Sequence, residues 1–178
     1  MGSDPLLHST LTSPKRPIGA MVLAVILLLS GLFVGGERVF VLLQVFSTAD
    51  NVVVAPSFYP ALLRTGITSV TAILAAIGLF AGSRFGWWFA TAHVAWRIST
   101  QGVLPLLGLL VSQGDFVASL ATLVAPFLIF GGLLLYLLRR NVKAYYSILA
   151  GSVSVAAALL ISTFLLAFAL DIWQTAVG

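Results

Sequence analysis

LLLYLLRRNVKAYYSILA, residues 133–150, decides the fold. Apolar chain runs to Leu138, three cations follow at Arg139, Arg140 and Lys143, and apolar chain resumes at Ile148. Tyr136, Tyr145 and Tyr146 bracket the cations, as amphipathic rings do where lipid meets water. This is how a chain looks when it leaves a bilayer, turns in water and goes back.

The same reading extends outward in both directions. Five apolar spans occupy roughly 17–45, 60–82, 87–111, 116–138 and 147–170, separated by short connections. Lys15 and Arg16 precede the first span, Arg84 separates the second from the third, and Arg139, Arg140 and Lys143 separate the fourth from the fifth. The remaining connections carry only Asp50 and Asp115, and the C-terminal tail only Asp171. All cations of the connections thus fall on alternate turns, and positive charge is retained on the cytoplasmic face of a membrane. The sequence predicts an all-α integral membrane protein, a five-transmembrane-helix bundle with its N-terminus cytoplasmic and its C-terminus external. Residues 1–16 read as a disordered cytoplasmic tail, 17–172 as one transmembrane bundle and 173–178 as an external tail.

Composition points the same way. With 60% hydrophobic and 8% charged residues, a soluble domain of 178 residues would lack the polar side chains to cover its surface. A span needs about 20 residues to cross about 30 Å of hydrocarbon, so five of them consume the chain. The net charge of +4 is explained by topology, and no basic run with interleaved aromatics exists to follow a phosphate backbone, so nucleic acid is not an expected partner. The first span keeps Leu, Val and Phe well past the length of a signal-peptide core and reads as an uncleaved anchor. Zero cysteines remove disulfides, thiolate metal sites and iron–sulfur clusters together.

Aromatic residues mark the two interfaces. Trp87 and Trp88 stand beside Arg84 on the inner side, with Tyr136, Tyr145 and Tyr146 level with them; Phe58, Tyr59 and Trp173 stand on the outer side. All are expected to be interface anchors. Gly31 and Gly35, and Gly78 and Gly82, form GxxxG pairs, and Ser147, Gly151, Ser154 and Ala158 recur at similar spacing. Such small-residue seams let helices approach closely in lipid, and packing within the chain is their expected use. Pro105 and Pro126 fall inside the third and fourth spans and should bend them. The outer connection 46–59 reads as an interfacial segment folded back on the helix ends.

The candidate chemistry lies in polar residues within the spans. His93, Arg97 and Gln101 are spaced by four, with Thr100 three beyond Arg97, and all share one helical face. Arg64, Thr68 and Thr71 form a comparable stripe on the second span, and Ser30, Glu37 and Gln44 on the first. Ionised groups facing lipid are costly, so these stripes should face one another or a wet cavity. Glu37 is the only acid inside a predicted span, and depth pairs it with Arg64. That leaves Arg97 for Gln101, Thr71, a freed carbonyl or an external anion. Arg97, His93, Gln101, Thr100, Arg64 and Glu37 are therefore the candidate ligand-binding or structural polar cluster. No catalytic residue is expected. There is no HExxH, GxSxG or Walker loop and no carboxylate pair, and Ser99 lies ~120° round the helix from His93. A lone histidine supplies one haem ligand where two are usual, so no cofactor and no metal are expected.

Two stretches carry a resemblance. RPIGAMVLAVILLLSGLF at 16–33 resembles the Arg-Pro-x-Gly opening of small bacterial inner-membrane proteins, and LLLYLLRRNVKAYY at 133–146 resembles the arginine-rich endings that close their four-helix bundles. The resemblance implies a bacterial cytoplasmic-membrane location and no assignable activity, and the fifth span departs from it. The expected function is non-enzymatic: an accessory or assembly subunit of a larger membrane complex, with the lipid bilayer and partner subunits or further copies as its partners. The alternative is a small transporter or binding protein for an anionic or lipid-like ligand, using the Arg/His stripe.

Overall fold

A computed structural model describes residues 16–48, 55–56, 58–111, 116–148 and 152–177. The N-terminal tail before Arg16, most of the outer connection around Asp50, and Asp115 lie outside the described residues. The chain is all-helical, with no strand among the described residues. Helices run in the order α1 (Ile18–Thr48), α2 (Phe58–Phe80), α3 (Arg84–Ile98), α4 (Leu104–Val111), α5 (Phe116–Leu137), α6 (Arg140–Tyr145) and α7 (Ser152–Val177). A single π-helical turn, Ser99–Val103, joins α3 to α4. Among the described residues, three helical stretches are long and apolar enough to cross a membrane: Ile18–Val45, Phe58–Phe80 and Val153–Val177.

The turn from α2 to α3 follows directly from its sequence. Gly82 takes the left-handed conformation (φ +67°), and the Ser83 N–H then donates back to the Gly78 carbonyl at 3.0 Å. That pattern closes a helix C-terminus. Ser83 at once caps the next helix, its hydroxyl accepting the Gly86 N–H at 3.2 Å. Gly82 is therefore a turn residue and not the second half of a packing pair. Gly78 instead packs on Gly86: a Cβ on Gly86 would stand 2.0 Å from the Gly78 carbonyl carbon, so the helices touch backbone to backbone.

α3 is the central element, packing on α2, α5 and α7, while α1 packs on α2. Gly78–Gly86, Thr71–His93 and Thr68–Trp96 contacts keep one antiparallel register along the whole α2–α3 seam. Gly31 lies against Ala72 and Ile73 and Gly35 against Ser69, which sets the register of α1 on α2. Both glycines thus serve packing within the chain.

One end of the bundle gathers the cations. Arg16 donates to the carbonyls of Leu79 and Phe80 at the C-terminus of α2, where a cation also meets the negative end of the helix dipole. The Tyr146 hydroxyl donates to Leu79 at 3.4 Å, and Trp87 Nε1 donates to the Leu137 carbonyl at 2.9 Å. Trp87 and Tyr146 are fully buried here, in the core with Leu79, Leu137 and Val142, and are not lipid-facing anchors. Their polar tips find backbone carbonyls inside the fold, which is why they can leave the interface. Tyr59 and Trp173 are exposed.

The last helix sits later than the hydropathy suggests. Ser147 takes a left-handed conformation (φ 53°), and Ile148 N–H returns to Lys143 at 2.9 Å, closing the short helix α6. Residue 147 therefore ends one helix and cannot begin the next. α7 starts at Ser152 and continues through Trp173 to Val177, so residues 173–177 are helix.

Candidate functional site

The α2–α3 seam places the polar stripes of both helices face to face. His93 is buried, with Nδ1 3.0 Å from Thr71 Oγ1. Trp96 Nε1 donates to Thr68 Oγ1 at 2.9 Å, and Thr68 in turn donates to the Arg64 carbonyl at 2.9 Å. These bonds give the buried His93, Trp96 and Thr68 side chains their partners and fix their rotamers beneath the two arginines. His93 thus bonds within the seam, and Thr71 is its partner and not that of Arg97.

Above this layer α1, α2 and α3 part to leave a cavity of about 270 Å³ lined by Val34, Arg64, Thr65, Thr68, Arg97, Thr100 and Gln101. Four of the six residues singled out from sequence thus share one wall. The register puts Arg97 level with Ile67, two residues and so ~3 Å from the middle of α2. Arg97 is half-buried, its guanidinium carbon 5.3 Å from the centre of the Phe130 ring on α5. A cation over an aromatic face is attracted by the ring quadrupole but is not neutralised by it. No carboxylate lies within ion-pair distance of Arg97 among the described residues.

Arg64 does not pair with Glu37. Its Nη2 meets Asp171 Oδ1 of α7 at 3.1 Å, a contact that draws α7 onto α2. Glu37 is exposed on α1, and among the described residues it makes no ion pair. The α1–α2 register puts it near the level of Ile67, so the depth argument for a pair was sound. The azimuth differs: Val34, one turn away, lines the cavity, whereas Glu37 is exposed and is not among its lining residues. Asp171 escaped notice because hydropathy assigned it to a tail, whereas α7 extends past it.

The π-helical turn was equally invisible in the sequence, although Pro105 hinted at it. Leu104 N–H donates to the Ser99 carbonyl, five residues back. Pro105 has no N–H, so continuing the five-residue pattern would leave the Thr100 carbonyl without its helical donor. A π turn of this kind widens the helix locally and often marks a functional site. Here it carries Thr100 and Gln101 into the cavity wall. Neither a protein-family model, nor a curated protein, nor a solved structure matches this chain.

Proposed function

We propose that the chain is a five-span membrane protein that binds a small anionic solute between its first three helices. The observation that carries this reading is Arg97: a permanent cation on the wall of a polar cavity, beside a second arginine whose charge Asp171 already answers. Guanidinium does not deprotonate in proteins, so Arg97 cannot escape its site by becoming neutral. Near a helix centre such a group costs roughly 2.5–3.5 kcal/mol on insertion scales. An anion in the cavity would offset that cost, and Gln101, on the same wall, has amide N–H groups to orient it.

The five-span, N-inside arrangement belongs to the same proposal. Contacts at one end of the bundle join Arg16 to the end of α2, and Tyr146 to the same carbonyl at Leu79. Arg16, Arg84, Arg139, Arg140 and Lys143 therefore flank one end, as retention of positive charge in a bacterial cytoplasmic membrane requires. The third span is α3 with α4, and the fourth is α5. The chain carries no paired acid and base within the cavity, so binding or transport, without chemistry, is the proposed activity.

Glu37 and Arg38 favour a second reading, the accessory subunit. Both are exposed on α1 at the depth of the cavity, where a partner helix could cover them. One experiment separates the two. A ligand that binds only the folded protein raises its thermal stability in proportion to RT ln(1 + [L]/Kd). Propionate added to the detergent-purified protein should raise the melting temperature, and Arg97→Gln should remove the rise. No rise with any small anion, together with a stoichiometric polypeptide retained on gentle extraction, would transfer the assignment to the accessory subunit.

A further inference from the structure

The hydroxyls of the cavity wall have already committed their protons. Thr65 Oγ1 donates to the Ala61 carbonyl at 3.0 Å, and Thr100 Oγ1 donates to the Trp96 carbonyl at 2.9 Å. Thr68 donates to Arg64 and also accepts from Trp96. A hydroxyl has one donor and two acceptor sites, so Thr65 and Thr100 offer this cavity oxygen lone pairs only. The cavity thus holds guanidinium donors from Arg97 and Arg64 beside hydroxyl acceptors from Thr65 and Thr100. Gln101, with both an amide N–H and a carbonyl, can serve either.

A plain anion satisfies half of such a site. Its charge would meet Arg97, but the Thr65 and Thr100 oxygens would lose water without gaining a donor, which is how buried polar groups discriminate against a ligand. Taking the anion-binding reading as its basis, we propose that the ligand is a small carboxylate bearing its own O–H or N–H donor, an α-hydroxy or α-amino acid. The carboxylate sits on Arg97 and the donor faces Thr100 and Thr65. About 270 Å³ holds several waters, since about 10–15 Å³ of such volume accommodates one, and so admits a compact acid. A phospholipid headgroup could present the same chemistry, but Thr68 lies ten residues, ~15 Å, from the Phe58 end of α2, and Arg97, level with Ile67, lies nine. The carboxylate on Arg97 thus sits well below the interface, and the proposed occupant is a free solute.

The test is a series of four probes of nearly equal size on the detergent-purified full chain: propionate, lactate, alanine and propylamine. Affinities come from calorimetric or thermal-shift titration. Lactate and alanine should bind at least tenfold more tightly than propionate, and propylamine should not bind. The double variant Thr65→Val, Thr100→Val should bring lactate and alanine to the level of propionate while the propionate-induced stabilisation shows that the cavity has kept its fold. Equal affinity for propionate, lactate and alanine in the native protein would overturn the donor requirement and leave anion binding standing. Absence of binding by all three acids would overturn both. Repeating the lactate titration in nanodiscs of phosphatidylcholine and of phosphatidylglycerol separates the sources: unchanged affinity supports a free solute, and competition by the anionic lipid overturns it.

Discussion

Arg64 and Asp171 meet at 3.1 Å between α2 and α7, and this contact ties the last helix to the wall of the cavity. Both side chains are partly accessible, 28% and 49%, so the pair is screened and should couple weakly. In a double-mutant cycle on thermal stability, Arg64→Gln and Asp171→Asn should show a coupling of about 0.5–1 kcal/mol. Glu37→Gln and Arg64→Gln should be additive. Coupling in the second cycle and none in the first would restore the Glu37 pair.

The α2–α3 crossing makes a sharper claim. Alanine at Gly86 would place a Cβ 2.0–2.5 Å from Gly78 and Leu79 backbone atoms. Backbone cannot swing aside, so Gly86→Ala should exceed the 1–3 kcal/mol that is typical of overpacking (about 3 kcal/mol or more). Nothing lies within 4 Å of a Cβ at Gly36, and Gly36→Ala should be neutral or stabilise by up to about 1 kcal/mol. Melting temperatures of the two variants should therefore move in opposite senses or differ widely.

These glycines show what could and could not be read beforehand. Helical class follows from apolar runs and charged turns, because the bilayer imposes one length and one backbone solution on every span. The polar face of α3 is equally legible, since 3.6-residue periodicity fixes which residues share a side. What the periodicity cannot supply is the rotation of one helix against another. Arg97 and Arg64 converge because each faces the α2–α3 seam, whereas Glu37 shares their depth and misses by azimuth. Helix ends are also hidden from hydropathy. Ser147 closes α6 and Gly82 closes α2 through left-handed backbone, and in lipid-type sequences such residues look like any other small residue in a packing seam.

At the cationic end, burial pushes the Tyr146 phenol up to about 12, against the opposing pull of Arg16. The group is neutral when protonated, so a folded value above the unfolded one near 10 makes folding favour the protonated form. Its contribution is fully present below pH 10 and is lost as pH rises from 10 to about 12. A thermal-stability profile should fall through that window, and Tyr146→Phe should flatten the part due to this residue. An unchanged profile in the variant would place the alkaline loss elsewhere.

Reporter fusions address the proposed topology. A fusion after Lys143 should behave as cytoplasmic, and fusions after Asp50, Asp115 or Gly178 as external. An internal C-terminus would mean an even number of spans. Two lysines introduced at residues 112–115 should strain insertion, because the Lys/Arg bias of short loops sets orientation.

Arg97→Leu separates a site from a strut. If the guanidinium were a clip, its loss would leave a partner charge uncompensated, at a cost of about 3–5 kcal/mol. Among the described residues its contact is the Phe130 ring, worth about 0.5–2 kcal/mol as a cation–π pair. That gain is of the same order as the roughly 2.5–3.5 kcal/mol that leucine would recover by not holding a charge near the helix centre. Removing Arg97 should therefore leave thermal stability equal or improved in the absence of anion, and should abolish stabilisation by propionate. A variant that melts far below the parent, with or without anion, would show that Arg97 holds the helices together. A variant identical to the parent in both measurements would mean that the cavity is not the binding site.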